Sequence, residues 1–96
     1  MSDANDRRAR IEVALRERLA ALHVEVIDES HLHAGHAGAR SGGGHFRAVV
    51  VSIQFDGKAP VERQRLVYDA LEGAMGTEIH ALSMKTLTPA EWTAGA

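Results

Sequence analysis

Four histidines, His31, His33, His36 and His45, crowd into one glycine-rich stretch of a 96-residue chain that has six histidines and no cysteine. Neutral imidazole binds zinc, copper, iron and nickel, and it titrates near neutral pH. The stretch therefore points to metal binding or to a pH-dependent contact. His31 and His33 are separated by one residue and His33 and His36 by two, spacings that place two imidazoles on one ion if the loop folds around it. The same pattern also fits a solvated loop, because Asp28 and Glu29 are the only close carboxylates and no thiolate completes a ligand set. Without cysteine, thiol chemistry is excluded, and an iron–sulfur or thiolate–zinc site needs a partner's sulfur. His80, in Glu78-Ile79-His80-Ala81-Leu82, opens a strand-like run, and on composition alone it reads as a strand-edge histidine bonded to nearby backbone.

Other constellations carry less. Lys58, Arg63 and Arg65 lie at the entrance to a helical segment, with Arg47 and Lys85 on neighbouring strand-like runs. Phosphate contacts use such cations, but a solvated helix face balanced by Glu62 and Asp69 is the simpler explanation, and Tyr68 alone is near enough for base stacking. Two G-x-x-G strings, Gly35–Gly38 and Gly73–Gly76, lack the helix pair and basic flanks that clamp a nucleic-acid backbone. A Ser30, His33 and Asp28 triad would crowd one loop with no rigid frame to hold it, so catalysis is not expected.

The elements that must position these residues follow from the apolar pattern. Ile11, Leu15, Leu19 and Leu22 recur at helical spacing and predict a helix from about Asp6 to Leu22, capped by Asn5 or Asp6. Val24 and Val26 alternate with polar neighbours, a strand ending at Asp28-Glu29-Ser30. Residues 31–44 predict a long mobile loop. Phe46 to Phe55, apolar on both faces, predicts a central strand ended by Asp56-Gly57. Pro60 opens a second helix whose buried stripe is Leu66, Val67, Ala70, Leu71, Ala74 and Met75. A last strand runs from about Glu78 to Leu87, and Thr88-Pro89-Ala90-Glu91-Trp92 predicts a capped helical turn. The order is αββαβ with a terminal turn, which makes a two-layer α+β domain with helices on one face of a three-stranded sheet.

One modest core is all that 96 residues can build. A net charge of −2 gives little long-range attraction to nucleic acid, and the polar, acidic opening is neither a secretory signal nor a membrane span. A cytoplasmic location with no membrane partner is the expectation. The domain is expected at 8–92, between flexible ends at 1–7 and 93–96.

Read in order, Asp28-Glu29-Ser30, His45-Phe46-Arg47, Val51-Ser52, Phe55-Asp56-Gly57, Arg65-Leu66-Val67-Tyr68, Ile79-His80-Ala81-Leu82 and Thr88-Pro89-Ala90-Glu91-Trp92 resemble the BolA family over about residues 8 to 92. The resemblance implies a mixed three-stranded sheet of type II KH-like topology. It also implies a non-enzymatic protein that shares a bridging 2Fe-2S cluster with a monothiol glutaredoxin and glutathione, for iron–sulfur trafficking or iron sensing. The isolated chain is not expected to bind the cluster. His80 matches the family's C-terminal histidine ligand. His33 matches the second ligand between the first two strands, with His36 its nearest rival. The alternative the family implies is a DNA-binding regulator of cell morphology and stress response, using Lys58, Arg63, Arg65 and Lys85. A second copy of the chain is a further partner to consider. The family's Arg-His-Arg at the second helix is here Arg63-Gln64-Arg65, which keeps the cations and loses the titrating ring.

Overall fold

The computed structural model describes residues 3–29, 44–73 and 79–95. Its elements are α1 (Asp3–Arg18), β1 (His23–Asp28), β2 (Gly44–Val51), a 3-10 turn (Ile53–Phe55), α2 (Pro60–Ala70), β3 (Ile79–Leu87) and α3 (Pro89–Thr93). The sheet has three strands in the order β1-β2-β3, with β1 antiparallel and β3 parallel to β2. This is the mixed α+β arrangement the pattern predicts.

Helices α1 and α2 cover one sheet face. Ile11, Leu15 and Leu19 meet Val67, Ala70 and Leu71 over Val24, Val26, Phe46, Ala48 and Val50, with Phe55 fully buried among them. Leu66, Leu82 and Met84 pack at the margin of this core. The predicted stripe members Ala74 and Met75 lie outside the described residues. On the other face Glu25, Ile27, Arg47 and Lys85 are exposed and Val49 is half-buried. β2 is central, yet only one of its faces is fully covered.

Three boundaries differ from the sequence expectation. The first helix starts at Asp3, so Asn5 and Asp6 lie inside it and part of the segment expected to be flexible is helical. No proline or glycine interrupts the run, and acidic residues favour the positive end of a helix dipole. The helix stops at Arg18 because Ala20 adopts the left-handed conformation, φ +48°, letting the Ala21 N–H reach the Arg16 carbonyl at 3.1 Å. β2 ends at Val51 and not at Phe55. Ser52 is fully buried, its hydroxyl donates to the Leu19 carbonyl at 2.7 Å and accepts from the Gln54 N–H at 3.0 Å, and this turns the chain into the 3-10 segment. At the other end Pro60 opens α2 as predicted, with the Ala59 N–H donating to Glu62 at 3.2 Å.

The left-handed residue yields a stability prediction. Alanine pays a steric penalty at positive φ that glycine does not, partly offset by glycine's greater freedom when unfolded. Ala20→Gly is expected to raise stability by about 0.5 to 1 kcal/mol, measured as a higher urea midpoint at unchanged slope.

Candidate functional site

Strand direction collects one set of residues at one end of the sheet. β1 ends where β2 and β3 begin, with Asp28 opposite Phe46, Gly44 opposite Ile79 and His45 opposite Ala81. Between the last two pairs β3 has one residue more than β2, and that residue is His80. A β-bulge of this kind disrupts the ladder locally and re-aims a residue, which is why bulges recur beside functional sites. The Glu29 N–H donates to the His45 carbonyl at 2.7 Å, and the Arg47 guanidinium lies 3.3 Å from the Glu29 carboxylate. These contacts fix both anchors of the segment from Ser30 to Gly43 at the sheet end that carries His80.

His33 and His36 belong to that segment and lie outside the described residues. His45 is the described histidine that register sets next to His80. The sequence counts it with the histidine-rich stretch, but its alternation with Phe46, Ala48 and Val50 marks it as the first turn of the pleat in β2. His23 is separate. It faces Val51 at the opposite end of β1, about 17 Å away by strand rise, where its ring stacks on Trp92 at 4.7 Å and 20° and its Nε2 donates to Glu25 at 2.6 Å. That histidine fastens α3 to the sheet.

The four cations proposed for nucleic acid do not form one patch. Arg63 turns inward: its side chain is only 14% exposed and donates to the carbonyls of Lys58 (2.8 Å) and Thr86 (3.2 Å) and to the Glu91 carboxylate (2.7 Å). It ties α2 to β3 and α3. Arg65 is exposed on α2, while Lys85 is exposed on the sheet face away from the helices, since its neighbour Met84 packs toward the core. Lys58 is half-buried beside Arg63.

Glu91 completes the tie. It accepts from the Thr88 N–H at 2.8 Å, while the Thr88 hydroxyl accepts from the Glu91 N–H at 3.1 Å, the reciprocal box that the Thr88-Pro89-Ala90-Glu91 pattern predicts. The Thr88 backbone bond, then the Arg63 bond, hold the carboxyl below its usual 4.5. A lowered carboxyl contributes stability above its unfolded pKa and loses it as pH falls through the folded one. The advantage of the parent chain over Glu91→Gln should therefore be constant from about pH 7 to pH 5.5 and shrink below the usual carboxyl value of 4.5, read by urea unfolding at each pH.

Among the described residues no three histidine, cysteine or acidic side chains converge as a self-contained metal site, and no helix is long and apolar enough to cross a membrane. In a cysteine-free chain the sheet end can offer imidazole nitrogen and the carboxylates of Asp28 and Glu29, but no sulfur.

A family model described as BolA-like protein matches residues 15–91. The chain is 42% identical over 87 residues to the SufE-like protein 1, chloroplastic/mitochondrial, of Arabidopsis thaliana, covering 85% of this chain and 24% of that protein. It is 40% identical over 85 residues to the DNA-binding transcriptional regulator BolA of Escherichia coli, covering 88% and 78%. Among solved structures, the BolA domain of SufE1 from Arabidopsis thaliana superimposes with a TM-score of 0.78 at 39% identity, covering 95% of this chain and 98% of that one. The chain spans 61% of the length of the mouse and human proteins named BolA-like protein 1 and about a quarter of the Arabidopsis protein.

Proposed function

The chain belongs to the BolA-like protein family, and from that premise we propose that it is a non-enzymatic partner protein. In this reading it shares a bridging 2Fe-2S cluster with a monothiol glutaredoxin and glutathione, in iron–sulfur trafficking or iron sensing. The observation that carries the reading is the bulge that singles out His80 at the sheet end where the histidine-rich segment leaves β1 and enters β2. His80 is the principal ligand, His33 the second and His36 its alternative.

The division of ligands follows from chemistry. This chain has imidazole and no thiol, so the partner and glutathione supply the sulfur. When bound, a cluster with histidine in place of thiolate on one iron has a raised reduction potential and an attachment that protons can compete for. The chain's own share is to present neutral imidazole nitrogen from a strand and from a segment whose anchors are held by the Glu29 to His45 bond and the Arg47–Glu29 pair. A compartment with reduced glutathione suits this role, and the cytoplasm is the one proposed. The test is reconstitution with a monothiol glutaredoxin, iron, sulfide and glutathione, comparing the visible spectra of the parent chain with those of His80→Ala, His33→Ala and His36→Ala. Spectra unaffected by all three replacements would refute the ligand assignment.

The second reading, a DNA-binding transcriptional regulator of morphology and stress response, draws on the description of the Escherichia coli relative and on exposed Arg65 and Lys85. Phosphate-dominated binding weakens steeply with salt, whereas ligation to iron does not. Arg65→Ala should lower DNA affinity and reduce the salt slope by about one if α2 meets the backbone. Unchanged binding would remove α2 from any such interface.

A further inference from the structure

Hydrogen-bond direction alternates along a regular strand, so two contacts assign the backbone groups of β3 from Ala81 to Leu87 to one of its sides. The Leu87 carbonyl accepts from the Ser52 N–H at 3.0 Å, which points Leu87, and by alternation Lys85, Ser83 and Ala81, toward β2. Thr86 points the opposite way, and its carbonyl accepts from Arg63 at 3.2 Å. Leu82 and Met84 share that outward direction. Because β3 is the last strand of the sheet, their N–H and C=O groups form a free edge among the described residues.

The two sheet edges are not equivalent. β1 is six residues long and carries Glu25 and Asp28, charges that discourage strand addition. β3 is nine residues long, with Lys85 as its only Lys, Arg, Asp or Glu. Leu82 and Met84 are half-buried, so each leaves apolar surface uncovered at the rim of the core.

We propose that two copies of this chain associate through the free edges of β3, antiparallel, about a two-fold axis at Ser83, to form a continuous six-stranded sheet. The pattern is self-complementary in this register, which is what an isologous interface needs. Leu82 of each copy exchanges N–H···O bonds with Met84 of the other, and their apolar side chains pair on the helix side. On the open face Ser83 meets Ser83 and Lys85 meets Ala81, so no like charges face each other. Moving the axis to Met84 would pair Leu82 with Thr86, whose carbonyl Arg63 already occupies, and moving it to Leu82 would draw the bulged His80 into the ladder. The contact is short, in the class of weak and concentration-dependent interfaces.

The absence of native cysteine makes the test clean. Ser83 and Ala81 are both exposed, but only the residue on the axis forms a non-hydrogen-bonded pair with its own copy, at a Cα separation of about 4.5 Å that a disulfide spans. Two copies of residue 81 lie about 14 Å apart along the strands, beyond disulfide reach. Under mild oxidation Ser83→Cys is therefore expected to cross-link at least about tenfold faster than Ala81→Cys. In sedimentation velocity Ala81→Lys should dimerise about tenfold more weakly than Ala81→Glu, because residue 81 faces Lys85 twice in the dimer. Equal cross-linking of the two cysteine variants, or a parent chain that stays monomeric up to about 1 mM, would overturn the proposal and leave the edge to a strand of another protein. The cluster reading does not depend on either result.

Discussion

His80→Ala is expected to abolish the spectrum that the chain shares with a monothiol glutaredoxin, weakening cluster retention in the mixed complex by at least about tenfold, the low end of what even outer-sphere changes cost a metal site. The argument is one of supply. The chain has no sulfur ligand to substitute, and register leaves His80 as the unpaired residue of β3. His33→Ala should act in the same direction, with His36 as its alternative in the segment. Because imidazole ligates when neutral, retention by the parent complex should also fall as pH drops through the histidine range, about 6.5. Urea unfolding of His80→Ala, run beside the spectra, separates a lost ligand from a lost fold. Full cluster retention in a folded His80→Ala chain would remove this residue from the site.

Phe55→Ala is expected to cost about 3 to 5 kcal/mol, out of the roughly 5 to 15 kcal/mol that a domain of this size has in total. Phe55 is fully buried, at 0% accessible, and packs in the cluster that joins both helices to the sheet. Its position depends on Ser52, which ends β2 and starts the turn that swings the ring into the core. Truncation leaves a cavity that the neighbouring Val50 and Val67, themselves fully buried, can close only in part. The expected readout is a urea midpoint lowered by about a fifth or more, with Ile53→Ala as the contrast, since Ile53 is 61% exposed and its replacement should cost little. Equal effects of the two substitutions would contradict this picture of the core.

The parts of the fold that were legible in the sequence rest on local rules. The period of Ile11, Leu15 and Leu19, the alternation at Val24 and Val26, Pro60 at a helix start and the Thr88 to Glu91 box each act within a few residues, and each recurs in the structure. What stayed illegible depends on distant partners. Ser52 ends β2 because its hydroxyl meets a carbonyl 33 positions away, and Arg63 leaves the solvent because Glu91, 28 positions on, accepts its guanidinium. A cation on a helix reads as a surface charge until that partner is known. The bulge at His80 is likewise a property of two strands, since β3 alone does not reveal which of its residues β2 will skip. His80 was nevertheless identified as a candidate, through the resemblance of Ile79-His80-Ala81-Leu82 and not through its environment.

The most direct measurement is the visible circular dichroism of an equimolar mixture of this chain with a monothiol glutaredoxin carrying its cluster and glutathione, compared with the sum of the separate proteins. The account predicts a new spectrum that saturates at one chain per glutaredoxin and cluster, and that His80→Ala does not produce. A mixture identical to the sum of its parts, or a new spectrum that His80→Ala reproduces, would contradict it.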